Sequence, residues 1–439
     1  MRKRLTALLL ALLLVLALPG CGVRAQELTK DIVPTPLDTT TDLTAGGEAV
    51  AAFALSLLRE EKAGVSGVLV SPASALNALG MVANGASGDT LKLGCIGPLT
   101  GGYANYGLSV QNGAKLAVEE INKNGGVGGK QLTLEFQDSQ GDPESAVNAY
   151  GKLMDDGMQV SLGTVFSGEM ASVTAAARED DILLLTPSGS NDKCIDGNDK
   201  AFRVCFYDSY QGAAAAEYIC DNQLATEVGV LYESDYDYSV GLYNAFVEKA
   251  GELNLTIKET QTFTTTTATD FSTQIDALVA SGVKVVFIPI YAEEASTFLT
   301  QAKGKFADDV YFFGADGLDG ILGKVEQDPT IANNVLMLTP FAADSSDEKV
   351  QAFVSAYKAA YNNETPDQFA ADGYDAVYAV KAAVEKTGGD VSGAALAQAM
   401  TQITVEGVTG TMTWTADGNT QKAASAILYR DGVGTTFAK

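Results

Sequence analysis

Hydroxyl groups crowd three short segments in the first half of the chain, and carboxylates with tyrosines crowd four in the second. The first set is Gly97-Pro-Leu-Thr-Gly-Gly-Tyr-Ala-Asn-Tyr-Gly107, Thr164-Val-Phe-Ser167 and Thr186-Pro-Ser-Gly-Ser190. The second is Phe206-Tyr-Asp208, Tyr232-Glu-Ser-Asp-Tyr-Asp-Tyr238, Pro289-Ile-Tyr291 and Gly314-Ala-Asp-Gly317. Hydroxyls and backbone N–H groups at a helix start hold a carboxylate, whereas carboxylates and aromatic faces hold an ammonium. The two sets together suit a zwitterion such as a free amino acid. Ser167 precedes the helical segment Glu169–Arg178, so it is placed both to cap that helix and to face an anion. Asp316 also has the composition of an ordinary turn around it.

These segments follow apolar runs that read as strands: Leu91–Ile96, Val160–Gly163, Ile182–Leu185, Val228–Tyr232, Val283–Ile288 and Val310–Phe313, with Leu132–Phe136 as a seventh. Helical patterns fill most of the gaps. In Tyr106–Asn122, for example, Val110, Ala114, Ala117, Val118 and Ile121 share one face and leave Lys115, Glu119 and Glu120 to solvent. Strands without alternation, separated by helices, predict parallel sheets covered on both faces, and such sheets bind ligands beyond the carboxyl ends of their strands. At 439 residues the chain exceeds what one core serves, so two or more compact units are expected. With 29 basic against 55 acidic residues its surface repels phosphate backbones, which argues against nucleic acid. The chain has no histidine, which excludes Ser-His and Cys-His catalytic pairs and His-ligated metals.

The N-terminus reads as an export signal over residues 1–20: Arg2, Lys3 and Arg4 precede an apolar run from Leu5 to Leu18. Leu18-Pro19-Gly20-Cys21 resembles the bacterial lipoprotein box, which implies acylation of Cys21 and a protein anchored outside the cytoplasm by its lipid. Residues 21–47, polar and rich in Thr, Asp and Pro, are the expected tether. Export permits disulfides among Cys95, Cys194, Cys205 and Cys220; Cys194 and Cys205 flank a polar turn and form the easiest bridge, while Cys95 sits in an apolar strand. Residues 48–90 predict a strand with two helices. Within them, Val68-Leu-Val-Ser-Pro-Ala-Ser-Ala-Leu-Asn-Ala-Leu-Gly-Met-Val-Ala-Asn-Gly-Ala-Ser-Gly-Asp-Thr90 resembles the N-terminal part of a serpin, over about residues 43–90 and without the rest of that fold.

Ile96-Gly-Pro-Leu-Thr-Gly, the Gly125-Gly-Val-x-Gly turn, Asp138-x-x-x-Asp-Pro143 and Ile182-Leu-Leu-Leu-Thr-Pro187 occur in an order that resembles the branched-chain amino-acid-binding proteins of ABC transporters, over residues 92–439. The resemblance implies an α/β type I periplasmic-binding fold of two Rossmann-like lobes joined by a three-segment hinge, and no cofactor, metal or catalytic residue. The lobes would be 92–208 with 340–410 and 209–339 with 411–439, closing on an amino acid that an ABC permease then receives. Carried over by position, Ser167, Ser188 and Ser190 would hold the ligand carboxylate through hydroxyls and backbone N–H groups. Tyr106 would cover the ligand from the first lobe, Asp316 would meet the ammonium with Asp208 in support, and Tyr238 and Tyr291 would wall the second lobe.

Two other readings compete. Ser190-Asn-Asp-Lys193, Tyr361-Asn-Asn363 and Lys386-Thr-Gly388 mimic the motifs of penicillin-recognising serine enzymes, but the first lies in a loop and the third ends a helix. A sensory binding module would share the fold and differ in what it reports to.

Overall fold

A computed structural model describes residues 90–420 and 422–437. The export signal, Cys21, the tether and the serpin-like segment up to residue 89 lie outside the described residues. Thr90 opens strand β1 (Thr90–Gly97), which runs between β2 (Gln131–Asp138) and β3 (Val160–Thr164). With β4 (Leu184–Thr186) and β5 (Ala201–Arg203) it makes a sheet of order β2-β1-β3-β4-β5, every pairing parallel. Helices α1 (Ala104–Lys123), α2 (Pro143–Asp155) and α3 (Ser167–Ala176) connect its strands. The predicted face of α1 is buried from Val110 to Ile121, and Lys115 and Glu119 are exposed. Glu120 differs from expectation. It accepts the hydroxyls of Tyr374 at 2.6 Å and Tyr378 at 3.1 Å, which draws it against a neighbouring helix.

The chain then leaves for a second sheet. Helix α4 (Asp208–Asp221) leads into β6 (Glu227–Glu233), followed by α5 (Asp237–Leu253), β7 (Thr256–Phe263), α6 (Ser272–Ser281), β8 (Val285–Phe287), α7 (Ala292–Ala302), β9 (Tyr311–Gly314), the short α8 (Ile321–Lys324) and β10 (Val335–Thr339). After β10 come α9 (Glu348–Ala360), α10 (Gln368–Lys386), α11 (Gly393–Met400) and the hairpin β11 (Thr404–Gly407) with β12 (Gly410–Thr413). Strands β13 (Ser425–Arg430) and β14 (Val433–Thr436) finish the second sheet, whose order is β14-β13-β10-β9-β8-β6-β7. Its last two strands are antiparallel, the rest parallel.

Helix α10 packs on α1 backbone to backbone. A Cβ on Gly113 would stand 1.8 Å from the Ala370 carbonyl oxygen, and one on Gly373 would stand 2.4 Å from that of Val110. Either substitution would force the helices apart and with them the first turn of α1, which carries Tyr103 and Tyr106 to the site.

Several strands escaped prediction for physical reasons. β7 is an edge strand with polar residues on its exposed side, so its apolar content is too low to mark it. β10 is fully buried but only five residues long, a run that periodicity cannot tell from helix. The cysteines also correct an expectation: Cys95, Cys194, Cys205 and Cys220 are all free thiols. The Cys194 thiol donates instead to the Gly189 carbonyl at 3.2 Å, and burial raises its pKa to about 11.

The chain passes between the sheets three times: between β5 and α4, after β10, and before β13. The last passage falls later than residue 410. Trp414 Nε1 donates to the Arg203 carbonyl at 2.7 Å and Arg203 N donates to Gly418 O at 3.1 Å, which fastens 414–418 along the edge of β5. At the end of this stretch Lys422 turns inward. Its ammonium lies 3.4 Å from Asp372 Oδ1 with both side chains fully buried, and it also donates to Thr409 Oγ1. Asp375, beside it, accepts the N–H groups of Val408 and Thr409, each at 2.9 Å.

Removing one partner of such a pair leaves a charge stranded out of water. Lys422→Met is expected to destabilise the protein by about 3–5 kcal/mol near pH 8, measured by denaturant unfolding. The loss should shrink near pH 5, because burial pushes the Asp372 carboxyl up to about 7 and it escapes the penalty by taking a proton.

Candidate functional site

The site lies where the strand ends of the two sheets face each other. On the first side, Asp138 anchors the loop after β1: its Oδ1 accepts Leu99 N at 2.8 Å and its Oδ2 accepts the Thr100 hydroxyl at 2.7 Å. This loop delivers Tyr103 and Tyr106. Gly163 turns the chain at the end of β3 with φ +63°, in contact with the backbone of Thr186, so the loops after β3 and β4 run side by side. Thr186 Oγ1 stitches them, donating to Thr164 O at 2.6 Å and accepting Gly189 N at 2.8 Å.

Helix α3 begins at Ser167, with Phe166 as its N-cap and no side-chain cap. The expected capping by Ser167 therefore does not occur: its oxygen accepts Asn191 N at 3.0 Å, leaving its proton to donate and the first N–H groups of the helix uncapped by a side chain. That is an anion-ready arrangement. Ser188 keeps its backbone N–H for a ligand, while its hydroxyl is spent elsewhere. Its hydroxyl donates to Val165 O at 2.8 Å, so it shapes the loop and has no proton left for a ligand carboxylate. Ser190 is buried, and its carbonyl takes Asp208 N at 2.9 Å.

Arg203 is the residue that sequence reasoning missed here. Fully buried, it donates from Nη1 to the carbonyls of Gly189 at 3.2 Å, Ser190 at 2.6 Å and Asn191 at 3.1 Å, and from Nη2 to Asp192 O at 3.2 Å. One guanidinium thus sets the whole 189–192 loop. A lone arginine at the end of a three-residue strand was its only signal.

From the other side, Tyr106 is met across the cleft: its hydroxyl donates to Gly317 O at 2.6 Å and accepts Ala292 N at 2.8 Å. Asp316 Oδ1 accepts the Tyr238 hydroxyl at 2.7 Å and Gly317 N at 2.9 Å, and Asp316 N donates to Gln211 Oε1 at 3.1 Å. Tyr291 stacks on Tyr238 with centroids 4.5 Å apart, and Tyr106 and Phe166 press on it at 5.3 and 4.9 Å. Asp208 is wholly buried at the first turn of α4; Oδ2 accepts Asn191 Nδ2 at 3.3 Å, and Oδ1 makes no hydrogen bond of ordinary geometry, although the Ser190 hydroxyl lies near the carboxylate. The structure thus gathers Tyr106, Ser167, Ser190, Asp208, Tyr238, Tyr291 and Asp316 at one cleft, with Ser188 in its wall.

This cleft between two strand-end faces, reached by three chain passages, coincides with a family-wide pattern: the periplasmic binding protein model matches residues 90–430. The chain belongs to that family. Among curated relatives, the Leu/Ile/Val-binding protein homolog 3 of Brucella melitensis is 29% identical over 349 residues, 78% of this chain and 91% of its own length. The Leu/Ile/Val-binding protein BraC3 of Rhizobium johnstonii is 31% identical over 71% of this chain and 83% of its own. A crystal structure of the Streptococcus pneumoniae branched-chain amino acid transporter substrate-binding protein LivJ with isoleucine is 29% identical, with TM-score 0.73 over 79% of this chain and 98% of that one. The fold is the type I periplasmic-binding fold.

In this periplasmic binding protein the cleft is strongly acidic. Burial pushes Asp316 up to about 6 and Glu169 and Glu233 to about 7, while Asp208, desolvated and beside Asp316, rises well above the carboxylate range. Each of these groups has a folded value above its unfolded one. Between the two the folded state holds the extra proton, so stability conferred at low pH is lost as pH rises through about 4 to 7. Acidifying the unliganded protein from about pH 8 to about pH 5 should therefore raise its Tm, and Glu169→Gln should reduce that gain. A Tm highest near pH 8 would show these carboxylates to be ionised and paired.

Proposed function

We propose that the protein is the solute-capturing component of an ABC importer, closing two lobes around a free α-amino acid and presenting it to a permease. The carrying observation is one cleft with an anion-ready helix start at Ser167 on one side and buried, cation-seeking Asp316 and Asp208 on the other. The ligand carboxylate would meet Ser167, the first N–H groups of α3 and Ser190. Its ammonium would meet Asp316 and Asp208, with Tyr106, Tyr238 and Tyr291 as walls. Relatives named for leucine, isoleucine and valine support the branched-chain class as the starting reading.

The moving parts would be 92–208 with 340–410 against 209–339 with 411–439, the last boundary set back by the anchoring of 414–418. No helix among the described residues is long and apolar enough to cross a membrane. Attachment outside the cytoplasm would come from a lipid on Cys21, after removal of residues 1–20, with 21–47 as tether. Residues 48–90 would stand apart from binding, since β1 supplies the cleft's first strand by itself.

A thermal-shift screen of the twenty amino acids should find stabilising ligands, and N-acetyl-leucine, which lacks the ammonium, should bind far more weakly than leucine. Asp316→Ala should cost about 2–5 kcal/mol of binding, as for a desolvated charge pair losing one partner. Equal binding of N-acetyl-leucine would remove the ammonium site. For the anchor, Cys21→Ser should release the protein from membranes or leave it unprocessed, and unchanged attachment with normal processing would remove the lipid claim.

A further inference from the structure

Around Tyr291, the ring that stacks on Tyr238, stands a cage of further rings. Tyr103 and Phe166 come from the first side and Tyr236 from the second, with centroids 6.0, 4.9 and 5.6 Å from that of Tyr291. Three carboxylates surround it. Glu169, the third residue of α3, is 1% exposed, and neither of its oxygens makes a hydrogen bond of ordinary geometry. The Ser139 hydroxyl and the backbone at Phe166 lie near and offset only part of its desolvation. Glu294, at the start of α7, is 6% exposed; Oε1 takes the Tyr103 hydroxyl and Oε2 has no partner. Glu233, closing β6, takes the Thr265 hydroxyl at 2.8 Å. Across the cleft, Glu169 is the charge that the Tyr236 hydroxyl feels most.

The cation that acts on Glu294 is Lys324, and it is already engaged, 2.7 Å from Glu293 and bonded to Gly102 O. The contrast with Asp372 is direct: there a buried carboxylate has Lys422, whereas here three acids drawn from both sides share no such partner. Unpaired carboxylates buried against aromatic faces are costly unless a cation arrives, and rings and acids together are what an ammonium or guanidinium seeks. Tyr291 is common to both ends: it stacks on Tyr238, which donates to Asp316 at 2.7 Å, and the rings of the cage pack around it, so one amino acid could meet Asp316 with its ammonium and the cage with its side chain.

We propose that Glu169, Glu294 and Glu233, with Tyr103 and Tyr236, form a second charge subsite that takes a protonated amine or guanidinium, so that the cleft binds α-amino acids with cationic side chains. This rests on the reading that the cleft holds a free α-amino acid, and it narrows the solute away from the aliphatic side chains in the relatives' names.

Lysine and norleucine separate the two, since they share a four-carbon chain and differ in the terminal ammonium. Titration calorimetry near pH 8 on the whole protein should give lysine or ornithine at least ten-fold tighter binding than norleucine. Glu169→Gln should lower the lysine-to-norleucine preference ten-fold or more, and Glu294→Gln should lower it independently if the first variant folds poorly. Norleucine or leucine binding as tightly as lysine would overturn the cation subsite and leave the amino-acid reading standing, as would a preference unmoved by both variants. Failure of every α-amino acid to bind would overturn both.

Discussion

Negative charge held out of water where two sheets face each other is the constraint on which this molecule turns. Burial raises the proton affinity of Asp208 and Asp316, the charge of Asp316 adds to the effect on Asp208, and Asp372 lies within the field of Asp316. Asp372 has a protein cation, Lys422, at 3.4 Å, whereas Asp208 feels Arg203 only through its field. A fold that buries carboxylates in this way gains nothing from them in isolation. They are tolerable because the carboxylates can be protonated, because tyrosine hydroxyls and Gln211 share their load, and because a cationic group of a solute can replace the lost water.

The surrounding architecture keeps these groups in place. Helix α1 reaches the cleft because Gly113 and Gly373 let it lie against α10 at backbone distance, and the loops after β3 and β4 stay in register because Thr186 bonds to both. Arg203 spends its guanidinium on four consecutive carbonyls, which turns the peptide planes of residues 189–192 one way. Tyr106 then ties the two sides directly, since its single hydroxyl is bonded to Gly317 and Ala292 of the opposite side. Loss of that hydroxyl removes both bonds together.

Much of this was legible from residue types. The rule that parallel strands present ligand groups at their carboxyl ends led to the segments that hold these residues, Ser167 and Asp316 among them, and the resemblance to branched-chain amino-acid-binding proteins supplied Tyr106, Ser188, Ser190, Asp208, Tyr238 and Tyr291. What the sequence hid were partners defined by burial. Glu169 reads as an ordinary acid in a first helical turn, Lys422 as one polar residue in a loop, and Arg203 as a solvated end of a strand; each acquires meaning only once distant segments pack over it. The same blindness produced the Cys194–Cys205 expectation, because a polar turn between two cysteines says nothing of where their thiols point. Ser167 as a cap failed for a subtler reason: the helix starts two residues earlier than the expected Glu169, and the serine falls inside it.

The chain has a single tryptophan, Trp414, buried with its indole N–H on the carbonyl of Arg203. The same arginine holds the loop that carries Ser190, so the backbone of one residue joins the site to the only indole chromophore. Ultraviolet emission from this protein is consequently a one-point optical gauge. Light absorbed by the indole reads the polarity and rigidity around the edge of β5, without labels and without averaging over other tryptophans.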